Sequence, residues 1–165
     1  MKWILVLLAT LAASLVLAQG WKTVSSKEAG LQFSMPTQPT PSTRTDKDGA
    51  FSVQTRMWTS QGSTNYVVSV SFIPANAPAT FMPNMVKGIK QGFLQSTSGK
   101  IDAEKNSTYA GISGQEMIFS TPSGVKGSVW IVTRGHKVYT FTIAKANDKY
   151  QAEKAKFFGS AKITG

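Results

Sequence analysis

Apolar side chains recur at every second position through most of the chain beyond residue 30. Leu31, Phe33 and Met35 alternate with polar neighbours, and Pro36 closes that run. Phe51, Val53, Thr55 and Met57 make one face of a second strand, with Trp58 on the other. Tyr66, Val68, Val70 and Phe72 make a third, ended by Pro74. The pattern continues through residues 116–120, 125–132 and 138–144. Period two with β-branched and aromatic enrichment marks strands. Asp46-Lys47-Asp48-Gly49, Ser123-Gly124 and Arg134-Gly135-His136-Lys137 are turn sequences that join neighbours as antiparallel hairpins. Residues 36–45, with three prolines amid Thr, Ser and Gln, read as an irregular connection.

Two segments change period. From Thr80, the residues Met82, Met85, Val86, Ile89 and Phe93 recur at helical spacing, with Thr80 as N-cap, Pro83 in the first turn and Gly99 as the stop. A second helix starts at Asn147-Asp148, faces Tyr150, Phe157, Phe158 and Ala161 to one side and ends at Gly159, leaving residues 161–164 extended. Each helix has one apolar stripe and must lie on the sheet. The expected fold is α+β: a mainly antiparallel sheet of about six or seven strands with helices packed on it.

Composition adds a location. Met1-Lys2 precedes an apolar or small run over residues 3–18, and Val16-Leu17-Ala18 is followed by polar Gln19-Gly20. This is the layout of a secretory signal peptide, shorter than the ~20 apolar residues of a membrane anchor. Residues 1–18 are thus read as signal and residues 19–165 as a single exported, soluble domain, periplasmic or extracellular, with no later transmembrane run. The chain has no cysteine, which excludes disulfides, thiolate metal sites, a cysteine nucleophile and lipoprotein anchoring. Its single histidine excludes multi-histidine zinc sites.

Four stretches resemble PsbP-like domains. Gly30-Leu31-Gln32-Phe33-Ser34-Met35-Pro36-Thr37-Gln38-Pro39, soon after a Trp, resembles their opening strand and Pro-x-x-Pro exit. Ala110-Gly111-Ile112-Ser113-Gly114-Gln115-Glu116 is similar to the entry to their central strands. The run from Val129 to Phe141 is similar to their late hairpin. Ala155-Lys156-Phe157-Phe158-Gly159-Ser160-Ala161-Lys162-Ile163 resembles the closing helix, with Ala161 in place of a second aromatic. The resemblance implies an α/β/α sandwich. It also implies a role in docking on partners, as for the photosystem II protein PsbP, a Ran-binding import factor and DcrB-type envelope proteins. This chain departs from them in lacking a long N-terminal extension and a lipobox cysteine. No catalytic constellation and no cofactor come with the resemblance, and the expectation is a non-enzymatic domain.

The residues capable of chemistry are few. His136 stands in a hairpin turn without an acidic neighbour in sequence, the position of an exposed turn residue. Among Glu28, Asp46, Asp48, Asp102, Glu104, Glu116, Asp148 and Glu153, only Glu116 is flanked by apolar strand residues. It is semi-buried, turned to solvent, or paired with a lysine. Asp46-Lys47-Asp48-Gly49 echoes a calcium loop, but Thr55 stands where the required Glu would be, so a tight turn is the better reading. Gly88 and Gly92 form a small-xxx-small pair, read here as letting the first helix approach the sheet. Trp58 and Trp130 are either core residues or an exposed binding face.

Charge supplies the remaining hint. Eighteen basic side chains face eight acidic ones, and losing Lys2 with the signal lowers the formal charge from +10 to +9. Lys145, Lys149, Lys154, Lys156 and Lys162 concentrate near the C-terminus, with Lys87 and Lys90 on the first helix. The five C-terminal lysines are the candidate contacts for an anionic surface. Dispersed charge, no accompanying motif and the export signal argue against nucleic acid. Three functions follow: docking on an envelope protein, electrostatic attachment to an anionic lipid or polymer, or an unrecognised hydrolase. The last requires a pocket holding Glu116 or His136 beside another titratable group.

Overall fold

The computed structural model describes residues 20–146 and 148–164; the export signal read in residues 1–18 lies outside the described residues. Strands β1 (Lys22–Ser26), β2 (Leu31–Met35) and β10 (Lys162–Ile163) form a small sheet in the order β1-β2-β10. The larger sheet contains β3 (Thr40–Asp48), β4 (Phe51–Ser60), β5 (Thr64–Phe72), β6 (Lys100–Tyr109), β7 (Ile112–Ser120), β8 (Val125–Arg134) and β9 (Lys137–Ala146). Its order is β3-β4-β5-β9-β8-β7-β6, and all its pairs are antiparallel. Helix α1 (Phe81–Thr97) carries the chain from β5 to the far edge, and the hairpins β6 to β9 return it to pair with β5. A 3₁₀ turn (Asp148–Tyr150) leads into helix α2 (Gln151–Gly159). This is the expected α+β architecture. No helix among the described residues is long and apolar enough to cross a membrane.

The large sheet is covered on both faces, which explains why its central strands are apolar at consecutive positions. Trp58, Val68, Trp130, Tyr139 and Phe141 point to one side, where they pack with Phe157 and Phe158 of α2 and with Leu31, Phe33 and Met35 of β2. Val53, Met117, Phe119, Val129 and Ile131 point to the other, towards α1. Both Trp58 and Trp130 are therefore core residues. The small sheet is fastened to the large one at the turn before β2. There, Tyr139 Oη donates to the Ala29 carbonyl over 2.8 Å, and Arg56 pairs with Glu28 over 2.6 Å.

Several expectations need correction. Residues 40–45 of the expected connection belong to edge strand β3, which is paired with β4 along its length and also takes in Asp46 to Asp48 of the expected turn, leaving the bend at Gly49-Ala50. An edge strand tolerates Pro41 because one side of its backbone needs no ladder bond. Gly88 and Gly92 do not bring α1 close to the sheet: both are exposed, with open space where a side chain would stand. The first helix stops one residue early, with Ser98 in the left-handed conformation (φ 49°) and the Gly99 N–H bonded to the Leu94 carbonyl. Thr80 occupies the N-cap position without a side-chain cap bond. The second helical segment opens as a 3₁₀ turn at Asp148, and its expected cap Asn147 lies outside the described residues.

Candidate functional site

Glu116 lies on β7 directly opposite Trp130 on β8, on the sheet face that α2 covers. Its side chain is fully buried, and Lys154 Nζ on α2 donates to Oε1 over 2.7 Å. Ser107 Oγ and Tyr109 Oη, both from neighbouring strand β6, donate to Oε2 over 2.7 and 2.8 Å. Lys105, its cross-strand partner, stands 3.7 Å away at the solvent edge. The Tyr109 ring meets Trp130 and Phe158 edge-on, closing the pair off from water. Burial alone would raise the Glu116 pKa. Hydrogen bonds from Lys154, Ser107 and Tyr109, with the Lys154 charge, outweigh it and hold the pKa at about 2, below the ordinary 4.5. Burial first, and then the Glu116 hydrogen bond and charge, push the Tyr109 phenol above its usual value.

A second carboxylate is held on the same helix. Glu153 accepts from Lys145 Nζ over 3.0 Å and from the Tyr66 hydroxyl. Burial opposes its ionisation, but the hydrogen bonds from Tyr66, Lys145 and Thr64 prevail and lower its pKa. The remaining described carboxylates are engaged near the surface. Glu28 meets Arg56, Asp46 meets Arg44, Asp102 meets Lys100, Glu104 meets Lys90 and Asp148 meets Lys126. Each exposed pair adds little stability by itself.

Three of the five C-terminal lysines lie on the surface and two do not. Lys154 is removed from the set of surface contacts: it is 8% exposed and bound to Glu116. Lys145 is half-buried and bound to Glu153. Lys149, Lys156 and Lys162 are exposed. Lys156 lies 4.5 Å over the ring of Trp21, which brings it beside β1 and Lys22. On α1, Lys87 is exposed while Lys90 pairs with Glu104 over 2.7 Å. The burial of Lys154 had a sequence signal, since it falls on the helical stripe of Tyr150, Phe157, Phe158 and Ala161.

Two cavities among the described residues bear on the site. A groove of about 760 Å³ runs between the first turns of α1 (Met82, Val86) and the large sheet (Gln115, Ile131), with Lys87 and Lys90 at its margin. A smaller one of about 330 Å³ lies beside Trp21, Thr64, Tyr66 and Glu153. Neither is lined by Glu116 or His136, the residues on which the hydrolase reading depended. His136 is exposed in its turn and contributes only its carbonyl, which accepts from the Ile73 N–H over 2.8 Å.

No family model matches the chain, and no curated protein matches it in sequence. Its structure is similar to the solution structure of cyanobacterial PsbP (CyanoP) from Synechocystis sp. PCC 6803. The TM-score is 0.61 at 14% identity, covering 88% of this chain and 94% of that one. The fold is PsbP-like.

Proposed function

We propose that this chain is an exported, non-catalytic PsbP-like domain that docks on an acidic protein partner of the cell envelope. The observation carrying this reading is the fate of its charges. All seven carboxylates whose side chains are described are engaged by cations. Lys22, Lys27, Lys156 and Lys162 remain exposed. Such a surface speeds encounter with an anionic partner and repels basic ones. The PsbP-like fold supports the reading, since the better-known domains it resembles act by docking. The location rests on the signal-like residues 1–18.

The test is in-cell cross-linking of a C-terminally tagged copy in its native host, followed by purification with and without a high-salt wash. A stoichiometric protein that survives the wash is expected. Recovery of only anionic lipid or polymer, lost at high salt, would replace docking with electrostatic attachment to a surface.

A further inference from the structure

Helix α1 packs on the sheet while leaving most of its apolar stripe half-exposed. Of its seventeen residues only Phe81 is buried, although the helix carries a full apolar stripe. Phe81 meets Phe51 at 5.3 Å and Phe93 meets Phe119 at 4.6 Å near its ends, and Met82, Met85, Val86 and Ile89 pack against the core between them. These four stay half-exposed. The groove of about 760 Å³ opens beside Met82 and Val86, and its sheet side carries Ile131 with the polar Gln115, Thr133 and Glu104. Apolar side chains that pack on the core yet stay half-exposed along a groove offer further contact to an apolar occupant. Methionine adapts its shape to a variable apolar occupant.

The margin adds a sign. Lys87 and Lys90 are three residues apart on one helix and both border the groove. Lys87 has no ion pair among the described residues. Lys90 already grips a carboxylate, that of Glu104 on β6, at 2.7 Å. A carboxylate entering from the groove would meet the Lys87 ammonium and share that of Lys90 with Glu104, which also lines the groove.

The geometry points to a binding site for a free long-chain fatty carboxylate, its chain between Met82, Val86 and Ile131 and its head group at Lys87 and Lys90. The volume lies within the roughly 300–1,000 Å³ of small-molecule sites. That suits one chain and its head rather than the face of a bilayer. This site is separate from the docking reading, which rests on exterior charge, so either can fail without the other.

The test uses protein purified from expression of the full chain and cis-parinarate, a fluorescent fatty carboxylate. Saturable one-to-one binding is expected, displaced by palmitate but not by its methyl ester. Lys87→Glu, at an exposed position, should weaken it about tenfold or more through charge reversal. Val86→Asp should abolish binding while circular dichroism still reports the native fold. In isotope-labelled protein the Met82, Val86 and Ile131 methyl resonances should move on titration. Absence of saturable binding would overturn the site. So would binding unaffected by Lys87→Glu, equal displacement by the ester, or shifts confined to the cavity beside Trp21. Should Val86→Asp fail to fold, the Lys87→Glu and ester arms still decide.

Discussion

Glu116 on β7 and Lys154 on α2 are joined by a 2.7 Å charge-assisted hydrogen bond between groups 1% and 8% exposed, thirty-eight residues apart in sequence. The bond holds α2 over the side of the large sheet where Tyr109, Trp130 and Phe158 meet. Breaking a buried pair from one side leaves an uncompensated charge. Glu116→Gln, which keeps the shape but strands the Lys154 ammonium, should therefore cost about 3–5 kcal/mol in urea denaturation. Adding Lys154→Met should restore part of that loss. Additive losses in the double variant would show that the two groups are not coupled.

Acid should unlock the same contact. Glu116 is held at about 2 against an ordinary 4.5, and Glu153 is lowered as well. A depressed carboxylate contributes stability above its unfolded pKa and loses it as pH falls towards the folded value. The urea midpoint should hold steady above pH 4.5 and fall between that value and about 2. Each carboxylate contributes up to about 1.4 kcal/mol per pH unit to that slope. In Glu116→Gln the slope should be shallower; an identical slope would contradict the assignment.

The tyrosines give a complementary signal at the alkaline end. The chain has four, and burial is the first cause raising the pKa of each: Tyr66, Tyr109, Tyr139 and Tyr150. Native protein titrated by ultraviolet absorbance should show little tyrosinate at pH 10, the ordinary midpoint. Denaturant should release all four to titrate there. Two or more tyrosines ionising at pH 10 in the native state would contradict their placement.

Gly30 tests the clasp between the two ends of the domain. It has φ +61°, and its carbonyl accepts from the Thr164 N–H over 2.8 Å beside β10. A methyl group there would collide with the Thr164 carbonyl. Gly30→Ala should cost about 2–4 kcal/mol, from left-handed strain and overlap together, and should expose the amides of β10 to faster hydrogen exchange. A neutral effect would mean that β10 does not close on the turn before β2.

The legibility of this molecule follows burial. Where one face of a strand is covered, as at Leu31, Phe33 and Met35, alternation is plain in the sequence. Where both faces are covered, as at Val129 to Val132, an apolar run marks it. Edge strands carry no such signal: β6, Lys-Ile-Asp-Ala-Glu-Lys-Asn-Ser-Thr-Tyr, is mostly exposed, and β3 has the composition of a loop. Charged residues that guard edges from pairing also hide them from pattern reading. Glu116 stood out by its apolar neighbours, but its partner came from a helix reached only after two more strands. The groove was invisible because it depends on how high α1 sits above the sheet, which no periodicity encodes.

The outward cations are the centre of the account, and their reversal tests it most directly. A chain carrying Lys22→Glu, Lys156→Glu and Lys162→Glu alters exposed positions in the layer formed by the small sheet and α2. Its recovery of cross-linked protein should be compared with that of the unaltered chain at low and high salt. The account predicts a stoichiometric acidic partner whose capture is lost on reversal while the native fold, checked by melting, is kept. Capture that is undiminished by reversal, or no stoichiometric protein partner at all, would contradict it.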